Sequence, residues 1–402
     1  MSGVIIVGGG QGGYQAAASL RTEGYEGPIT IFSEEPHIPY QRPPLSKAFV
    51  LGKQEGDRLL LRLEAYYTER NIELLLGERV QSIDRASSTV QLASGASRTY
   101  DWLVLATGAT NRKLPVKGAE LDGVCYLRTL DEAKALKARL EAAQNVVVIG
   151  GGFIGLEIAA TSRILGKQVT VLESLPRLMA RVVAPVLSDY FLQSHSEKGV
   201  DVRLAAGCTE ILGKTKATGV ALPDGGVLPA DLVVVGIGVV PNVDLAREAG
   251  LTISNGIAAD EFLKTSDEKI FAIGDCVEYP NPFAGGRVRL ESVQNAVDQA
   301  VAVARTIMGR PAPYSAVPWF WSDQFDIRLQ MAGLSTGFDR TVLRGTMESH
   351  KFSVFYFAGP KLVGVDSVNR PADHLGARKL LGAQKTLTPE QAADESISLK
   401  DL

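Results

Sequence analysis

The stretch VVVIGGGFIGLE, residues 146–157, joins an apolar β-branched run to glycines at fixed intervals, and VIIVGGGQGG repeats the arrangement at residues 4–13. Each copy fits G-x-G-x-x-G between a predicted strand and a predicted helix. In this pattern the first glycine turns the chain, the second admits a pyrophosphate, and the third lets helix and strand pack closely. Backbone N–H groups and the helix dipole then face the phosphates. The glycines are Gly8, Gly10 and Gly13 in one copy and Gly150, Gly152 and Gly155 in the other.

An acidic residue near the end of the following strand supports both assignments, because it can accept a hydrogen bond from a ribose hydroxyl. In the second copy this residue is Glu173, and in the first it is Glu34 or Glu35. The alternative is two structural turns with unrelated acids nearby. We expect two dinucleotides, a nicotinamide that donates hydride and FAD that receives it.

The repeat covers whole β-α-β units rather than the glycines alone. Two buried strands that end in glycine, DWLVLATGAT and ADLVVVGIGVVPN, extend it, and KIFAIGD is expected to complete the first sheet. The fold class is therefore α/β, with two Rossmann-like dinucleotide-binding domains. The predicted elements are strands at 4–7, 29–32, 146–149 and 169–172 and helices at 11–23, 63–70 and 153–165.

The domain organisation follows from where these patterns start and stop. Beyond residue 317 the stretches DIRLQMAGL, RTVLRG and FSVFYFAGPKLVGVDSVN read as antiparallel strands, followed by a helix at 372–381. We expect an FAD-binding domain in two parts, an NAD-binding domain between them, and a C-terminal α+β domain. The expected boundaries are 1–110 and 241–317 for FAD, 111–240 for NAD, and 318–402 for the last domain.

Composition excludes several classes of function. The formal net charge of −3 gives no reason to expect nucleic-acid binding. No apolar run approaches the roughly 18 residues of a membrane span, and the first strand begins too early for a signal peptide, so a soluble cytoplasmic protein is expected. The four histidines are scattered without metal-ligand spacing, so no metal site is predicted. Cys125, Cys208 and Cys276 form no C-x-x-C pair.

A proline-rich stretch, EEPHIPYQRPPLSK at residues 34–47, follows the first β-α-β unit. Its prolines favour a stiff, extended loop over a helix. Pro44 is expected to stiffen this loop.

Motifs along essentially the whole chain resemble the two-dinucleotide flavoprotein oxidoreductases with the glutathione-reductase-like fold. Within them the chain is similar to the NADH-dependent ferredoxin reductases of bacterial oxygenase systems, the putidaredoxin-reductase type. The glutathione-reductase branch would carry a C-x-x-x-x-C pair, which this chain lacks, and Ser33 stands where glutamate is usual. The motifs are VGGGQGG, PYQRPPLSK, ATGA, GGGFIGLE, GIGVVPN, IFAIGDC, ESVQNA and PWFWSDQ.

The resemblance implies roles at matching positions. Asp275 would hydrogen-bond the ribityl or phosphate part of FAD; it could also be a helix N-cap, and both roles can hold at once. Trp321 would lie against the flavin ring, whereas Trp319 could equally be core. The remaining implied cofactor residues are Arg42, Lys47, Thr107 and Gly108 for FAD, and Gly236 and Gly238 for the nicotinamide half.

Lys47 and Glu157 form the most informative implied pair. Glu157 follows the second glycine turn closely and is expected in the first helical turn. The resemblance implies that the two side chains pair beside the flavin and hold the nicotinamide carboxamide. With Trp321 they are the candidate catalytic residues. The alternative is that both are ordinary exposed charges.

The resemblance implies an NADH-dependent flavoprotein reductase. FAD would take a hydride from NADH and pass single electrons to a [2Fe–2S] ferredoxin that feeds a cytochrome P-450 monooxygenase or a ring-hydroxylating dioxygenase. Rubredoxin reductase, NADH oxidase and a redox-responsive interaction protein resembling apoptosis-inducing factor are the alternatives. Because ferredoxins are typically acidic, basic residues are expected at the electron exit. The candidates are Arg287, Arg289 and Arg310.

Overall fold

A computed structural model describes residues 2–402. The chain divides into two compact units, each assembled from three separate segments. The first unit contains the residues up to Gln41 together with Gly56–Thr110 and Val240–Phe320. The second unit contains Arg42–Glu55, Asn111–Val239 and Trp321–Leu402.

The first unit is built on a five-stranded parallel sheet whose central strand, Val4–Val7, leads into the first glycine turn. These strands are almost continuously apolar because helices cover parallel sheets on both faces. Helices Gln11–Thr22 and Val293–Ile307 belong to this unit. In spatial order the strands are Ile270–Ala272, Trp102–Leu105, Val4–Val7, Ile29–Ser33 and Ile72–Leu76.

The second unit repeats this plan. Its central strand, Asn145–Ile149, pairs in parallel with the strands on either side and leads into the second glycine turn. Helices Leu130–Ala142, Phe153–Ile164 and Pro185–Glu197 accompany the sheet. In spatial order the strands are Val200–Arg203, Gln168–Leu172, Asn145–Ile149, Leu232–Val235 and Val124–Cys125.

An antiparallel three-stranded insertion extends the repeat. In both units it lies in sequence between the strand at the sheet edge and the strand that returns beside the central one. The two copies confirm the expected α/β class with a duplicated Rossmann-like unit. The insertions are Val80–Asp84, Thr89–Leu92 and Ser97–Thr99 in the first unit, and Glu210–Gly213, Ala217–Ala221 and Val227–Pro229 in the second.

The C-terminal part of the chain carries two helices, of which the sequence predicted only the first. It also forms a five-stranded sheet, whose antiparallel pairs agree with the predicted strands. Its first strand contains the WFWSDQ motif, for which no strand was predicted. The helices are Pro371–Gly382 and Pro389–Ala393. The strands, in spatial order, are Trp319–Gln324, Ile327–Gly333, Lys361–Val368, Lys351–Ala358 and Arg340–Thr346.

The proline-rich stretch differs from the prediction of an extended loop, because Pro43–Ser46 forms a 3₁₀ helix. Two prolines stand at its start, where a missing N–H costs nothing and the fixed φ suits a helical turn. The helix predicted at residues 63–70 is present as Glu64–Glu69. The remaining elements are 3₁₀ helices Gly56–Leu59 and Gly274–Cys276, helix Asp244–Glu248, and strands Ala109–Asn111, Val239–Pro241, Ile257–Ala258, Val277–Asn281 and Gly286–Val288.

Between residues 2 and 402, no helix has the length and apolar character needed to cross a membrane.

Candidate functional site

The two glycine turns have nearly the same geometry. The N–H of Gly8 donates to the carbonyl of Phe32 over 2.8 Å, and that of Gly150 donates to Leu172 over 2.8 Å. A Cβ added to Gly155 would stand 2.0 Å from the carbonyl oxygen of Gly150, and the corresponding contact in the first turn is 1.9 Å. A side chain at this third glycine would therefore separate helix from strand, as the fingerprint requires.

The helices that leave these turns begin in the same way. Gly10 and Gly152 are their N-caps, neither helix has a side-chain cap or an acidic first turn, and nothing lies within 4 Å of a Cβ added at either glycine. By contrast, helix Leu130–Ala142 carries a capping box with two acidic residues in its first turn. Both glycine turns therefore fit a pyrophosphate, since a side-chain cap would compete for the N–H groups that bind it.

Glu173 lies at the second turn in a nearly buried position, 9% exposed. Its Oε2 accepts from the N–H of Gly151 over 2.7 Å, and its Oε1 accepts from the N–H of Leu175 over 2.8 Å. The carboxylate is thus fixed beside the turn, at the end of its strand, where the fingerprint places a ribose ligand.

Ser33 holds the equivalent place in the first unit, since a Cβ added to Gly9 would meet its Oγ at 2.5 Å. The two following acids point to different partners. Glu34 pairs with Arg79 over 3.2 Å and is exposed, whereas Glu35 accepts from the hydroxyl of Tyr40 over 2.5 Å. Both remain candidates for the FAD ribose ligand.

The glycine-ended strands also match across the repeat. Ala106 donates its N–H to Val7 and Gly236 donates to Ile149, each over 2.8 Å, so the ends of these strands lie against the glycine turns. Two residues further on, Gly108 and Gly238 both have positive φ, 65° and 96°.

Within the first unit, Thr107 and Asn242 are joined by two hydrogen bonds. The Oγ1 of Thr107 donates to the carbonyl of Asn242 over 2.7 Å, and the Asn242 amide returns a bond of 2.8 Å. The ATGA and GVVPN motifs therefore meet at these residues.

Asp275 lies in the 3₁₀ helix Gly274–Cys276, whose N-cap is Ile273, so the structure does not show the N-cap role. Its carbonyl accepts from Arg289 over 3.0 Å.

Lys47 and Glu157 form an ion pair of 2.7 Å within the second unit, and Glu157 is only 2% exposed. The alternative of two ordinary exposed charges is therefore wrong for this pair. The helix begins at Phe153, so Glu157 is its fifth residue and lies just beyond the first turn. The expected first-turn position is wrong, because a turn holds about 3.6 residues and the fifth residue of the helix belongs to the second turn.

Two serines that the sequence analysis did not select complete the environment of Glu157. Ser46 donates to its Oε2 over 2.5 Å and Ser322 donates to its Oε1 over 2.7 Å. Each serine adjoins a selected residue, Lys47 or Trp321, so the motifs themselves contained the signal. A buried carboxylate with three donors has its orientation fixed by the protein.

Alternation along strand Trp319–Gln324 separates its side chains into two sets. Trp321 shares one face with Trp319, and Ser322 shares the other with Gln324. Trp319 is half-buried rather than core.

Arg42 donates from Nη1 to the carbonyl of Arg128 over 2.5 Å.

The three arginines suggested for the electron exit do not form a free basic patch. Arg287 pairs with Glu278 over 3.2 Å, and Arg289 pairs with Glu291 over 2.6 Å. Arg310 pairs with Glu23 over 2.5 Å. Each arginine therefore has a neighbouring carboxylate, and Glu23 is shared with Arg305, which lies 3.0 Å from it.

Residues 2–402 contain three cysteines, and none of them is in a disulfide. All three cysteines are free thiols, and burial raises the pKa of Cys125, Cys208 and Cys276. No cluster of potential metal ligands occurs in the same range. The duplicated α/β unit and the two uncapped glycine turns define the class as a two-dinucleotide oxidoreductase.

Comparison with known proteins agrees with this class. Residues 2–300 match the pyridine nucleotide-disulphide oxidoreductase family, and residues 319–402 match the reductase C-terminal family. Rhodocoxin reductase of Rhodococcus erythropolis is 50% identical over 398 residues, which cover 99% of this chain and 93% of that protein.

Two solved structures are similar over the full length. The ferredoxin reductase for the CYP199A2 system of Rhodopseudomonas palustris has a TM-score of 0.97 at 50% identity, covering 100% of this chain and 99% of that one. Putidaredoxin reductase in its covalent complex with putidaredoxin has a TM-score of 0.97 at 41% identity, covering 100% and 97%. The chain belongs to the pyridine nucleotide-disulphide oxidoreductase family and, within it, to the ferredoxin reductases. Its cofactors are FAD and NAD(H).

Proposed function

We propose that this protein is an NADH-dependent reductase that delivers electrons to a [2Fe–2S] ferredoxin serving an oxygenase. The observation that carries the proposal is full-length similarity, including the C-terminal domain, to a reductase captured in complex with its ferredoxin. The three cysteines of the described residues are free, so no disulfide among these residues can accept the electrons. A cytoplasmic location, where NADH is available, is part of the proposal.

We infer that the first unit holds FAD and the Rossmann-like part of the second holds NADH. Bound FAD supplies the chemistry that accepts a hydride and passes electrons on singly. The protein's own residues bind the two cofactors, orient them and neutralise their charges. The division at 1–110, 111–240, 241–317 and 318–402 into FAD, NAD, FAD and C-terminal domains belongs to this proposal.

The residues proposed for FAD act through backbone and side-chain contacts. The first turn would bind the pyrophosphate through N–H groups, and Glu34 or Glu35 would accept from the adenosine ribose. Trp321 would cover the flavin ring. The complete proposed FAD set is Gly8, Gly10, Gly13, Glu34, Arg42, Lys47, Thr107, Gly108, Asp275 and Trp321.

The residues proposed for NADH lie in the second unit. Glu173 would accept from the 2′-hydroxyl of the adenosine ribose, and a 2′-phosphate there would meet like charge. Gly236 and Gly238 would let the nicotinamide half approach the strand end. The ion pair of Lys47 and Glu157 would hold the nicotinamide carboxamide, since it offers one donor and one acceptor. The remaining proposed NADH residues are Gly150, Gly152 and Gly155.

Turnover with defined electron acceptors tests the function. Purified protein with NADH should reduce cytochrome c rapidly only when a suitable [2Fe–2S] ferredoxin, such as putidaredoxin, is added. The same assay with rubredoxin in place of ferredoxin tests the rubredoxin reductase alternative, and oxygen consumption without any carrier tests the NADH oxidase alternative. Binding of both cofactors with slow transfer to every acceptor would favour the redox-responsive interaction protein.

A further inference from the structure

We propose that His195, acting through Gln324 and Ser322, is a positioning residue for the Glu157 carboxylate. The inference rests on the proposed role of Glu157 in holding NADH and extends it to a side chain that the sequence placed in no motif. All four residues belong to the second unit.

A continuous line of hydrogen bonds joins the four side chains. His195 Nε2 lies 2.9 Å from Gln324 Oε1, and Gln324 Nε2 lies 3.2 Å from Ser322 Oγ. Ser322 Oγ in turn lies 2.7 Å from Glu157 Oε1. His195, Gln324 and Ser322 are each 0% exposed, so water cannot replace any of these bonds.

The chemistry of the groups fixes the direction of every bond. A carboxylate can only accept, so Ser322 must donate to Glu157, and its oxygen is left to accept from the Gln324 amide nitrogen. The Gln324 carbonyl oxygen then needs a donor, which is His195 bearing its proton on Nε2. The line therefore runs one way, from imidazole to carboxylate.

The environment of His195 keeps the imidazole in this neutral form. Burial lowers its pKa to about 4, and Nδ1 has no hydrogen-bond partner. The ring packs edge-on to Phe325, with centroids 5.1 Å apart. Phe325 follows Gln324 directly, so helix Pro185–Glu197 fixes the end of the strand that carries Ser322.

The carboxylate oxygen that Ser322 contacts explains why Gln324 and His195 affect Glu157. Ser46 and Lys47 both contact Oε2 of Glu157, whereas Ser322 alone of these donors contacts Oε1. Rotation of the carboxylate is therefore restrained on the Oε1 side only through Ser322. Loss of the Gln324 bond would free the Ser322 hydroxyl to turn away, and a small misplacement of a positioning group can cost much of a rate.

Two variants, Gln324→Leu and Gln324→Glu, test the inference. The quantity measured is the rate at which NADH reduces the flavin, followed by stopped flow. Gln324→Leu should slow reduction on the order of tenfold at every pH, relative to wild type, while FAD content stays complete. Gln324→Glu should be equally slow at pH 8.5, because a carboxylate cannot donate to Ser322. At pH 5.5 its protonated acid both donates and accepts, since burial raises a carboxyl pKa, and the rate should recover to within about twofold of wild type.

Variants of His195 provide the second arm. His195→Gln keeps an N–H donor and should retain most of the rate, whereas His195→Leu should match Gln324→Leu. The matched control is His374→Leu, because His374 is equally buried in the same unit but lies on helix Pro371–Gly382.

The outcomes separate this inference from the function on which it rests. Slow Glu157→Gln with normal rates in the Gln324 and His195 variants would overturn the positioning role alone. An unchanged rate in Glu157→Gln would overturn the role of Glu157 and the inference with it, while ferredoxin turnover by wild type would still stand. A pH-independent loss in Gln324→Glu would show that packing, rather than hydrogen bonding, is what the side chain supplies.

Discussion

The hydroxyl of Ser322 lies 2.7 Å from the carboxylate of Glu157, 165 residues away in sequence and in a different part of the second unit. The neighbour of Ser322, Trp321, points to the other face of the same strand. One short strand therefore presents a proposed flavin contact on one side and supports the carboxylate of the Lys47 ion pair on the other.

Glu157→Ala should slow reduction of the flavin by NADH and leave FAD bound. The substitution removes the acceptor held by Lys47, Ser46 and Ser322, so the nicotinamide loses a fixed partner. We expect a loss of about tenfold or more, ~1.4 kcal/mol in the barrier. Stopped-flow bleaching of the flavin band measures it, with Glu141→Ala at an exposed position as control. A rate equal to wild type would remove Glu157 from the site.

The protein should prefer NADH to NADPH. Arg177 follows Glu173 by four residues and could have bound a 2′-phosphate, but its N–H groups already donate to neighbouring groups. It donates to the carbonyls of Val183 over 2.7 Å and Ala180 over 2.6 Å, and to the hydroxyl of Ser188 over 2.9 Å. The preference expressed as kcat/KM should therefore be about 5- to 150-fold, ~1–3 kcal/mol.

Glu173→Gln checks the cause of this preference. The substitution keeps the size of the side chain and removes its charge, so most of the discrimination against NADPH should disappear. Equal kcat/KM for the two nucleotides with wild-type protein would show that the carboxylate does not select between them.

A buried acid should make the stability of the C-terminal domain pH-dependent. Burial raises the pKa of Asp366 to about 7. The hydrogen bond from Tyr356 lowers this pKa, but by less than burial raises it. The ordinary value is 3.8, so between about pH 4 and pH 7 the folded state holds a proton that the unfolded state has lost. Stability from this group therefore falls as pH rises through that window.

Asp366→Asn measures this effect directly. The melting temperature of the variant, relative to that of wild type, should increase as the pH rises from 4.5 to 7.5, because the amide does not ionise. Asp189→Asn, at an exposed position, should show no such trend. A constant difference between Asp366→Asn and wild type over this range would contradict the raised pKa.

Much of the fold could be predicted because its signals are local. The strand–glycine–helix pattern depends on residues within about a dozen positions, so Val4–Val7 and Phe153–Ile164 were placed within a residue or two. Pro43–Ser46 was missed because prolines that oppose a helix interior are tolerated at its first turn. The strand Trp319–Gln324 was missed because its apolar residues do not alternate with polar ones.

The site was only partly predictable, for a different physical reason. The ion pair of Lys47 and Glu157 was reached by resemblance, and no spacing rule connects residues so far apart. Ser46, Ser322 and His195 are ordinary polar residues whose importance depends on burial and on partners brought together by the fold. The same holds for Arg310, whose partner Glu23 could not be inferred from sequence.

Electron delivery to an acidic ferredoxin should slow as salt rises, while reduction of the flavin by NADH stays nearly constant. Charge-steered association is screened beyond a Debye length of about 8 Å at physiological ionic strength. Because Arg310 is already paired with Glu23, Arg310→Gln should change ferredoxin reduction by less than about twofold. Ferredoxin reduction rates that do not depend on salt would reject steering, and a large loss in Arg310→Gln would place this residue in the docking surface.

Anaerobic double-mixing stopped flow tests the central claim most directly. The protein is first reduced with one equivalent of NADH and then mixed with oxidised [2Fe–2S] putidaredoxin or other purified ferredoxins. The account predicts rapid reduction of two ferredoxin molecules for each NADH, with reoxidation of the flavin, and much slower reoxidation when the second syringe contains oxygen or rubredoxin instead. Reduced protein that reacts with oxygen or rubredoxin faster than with every ferredoxin offered would contradict it.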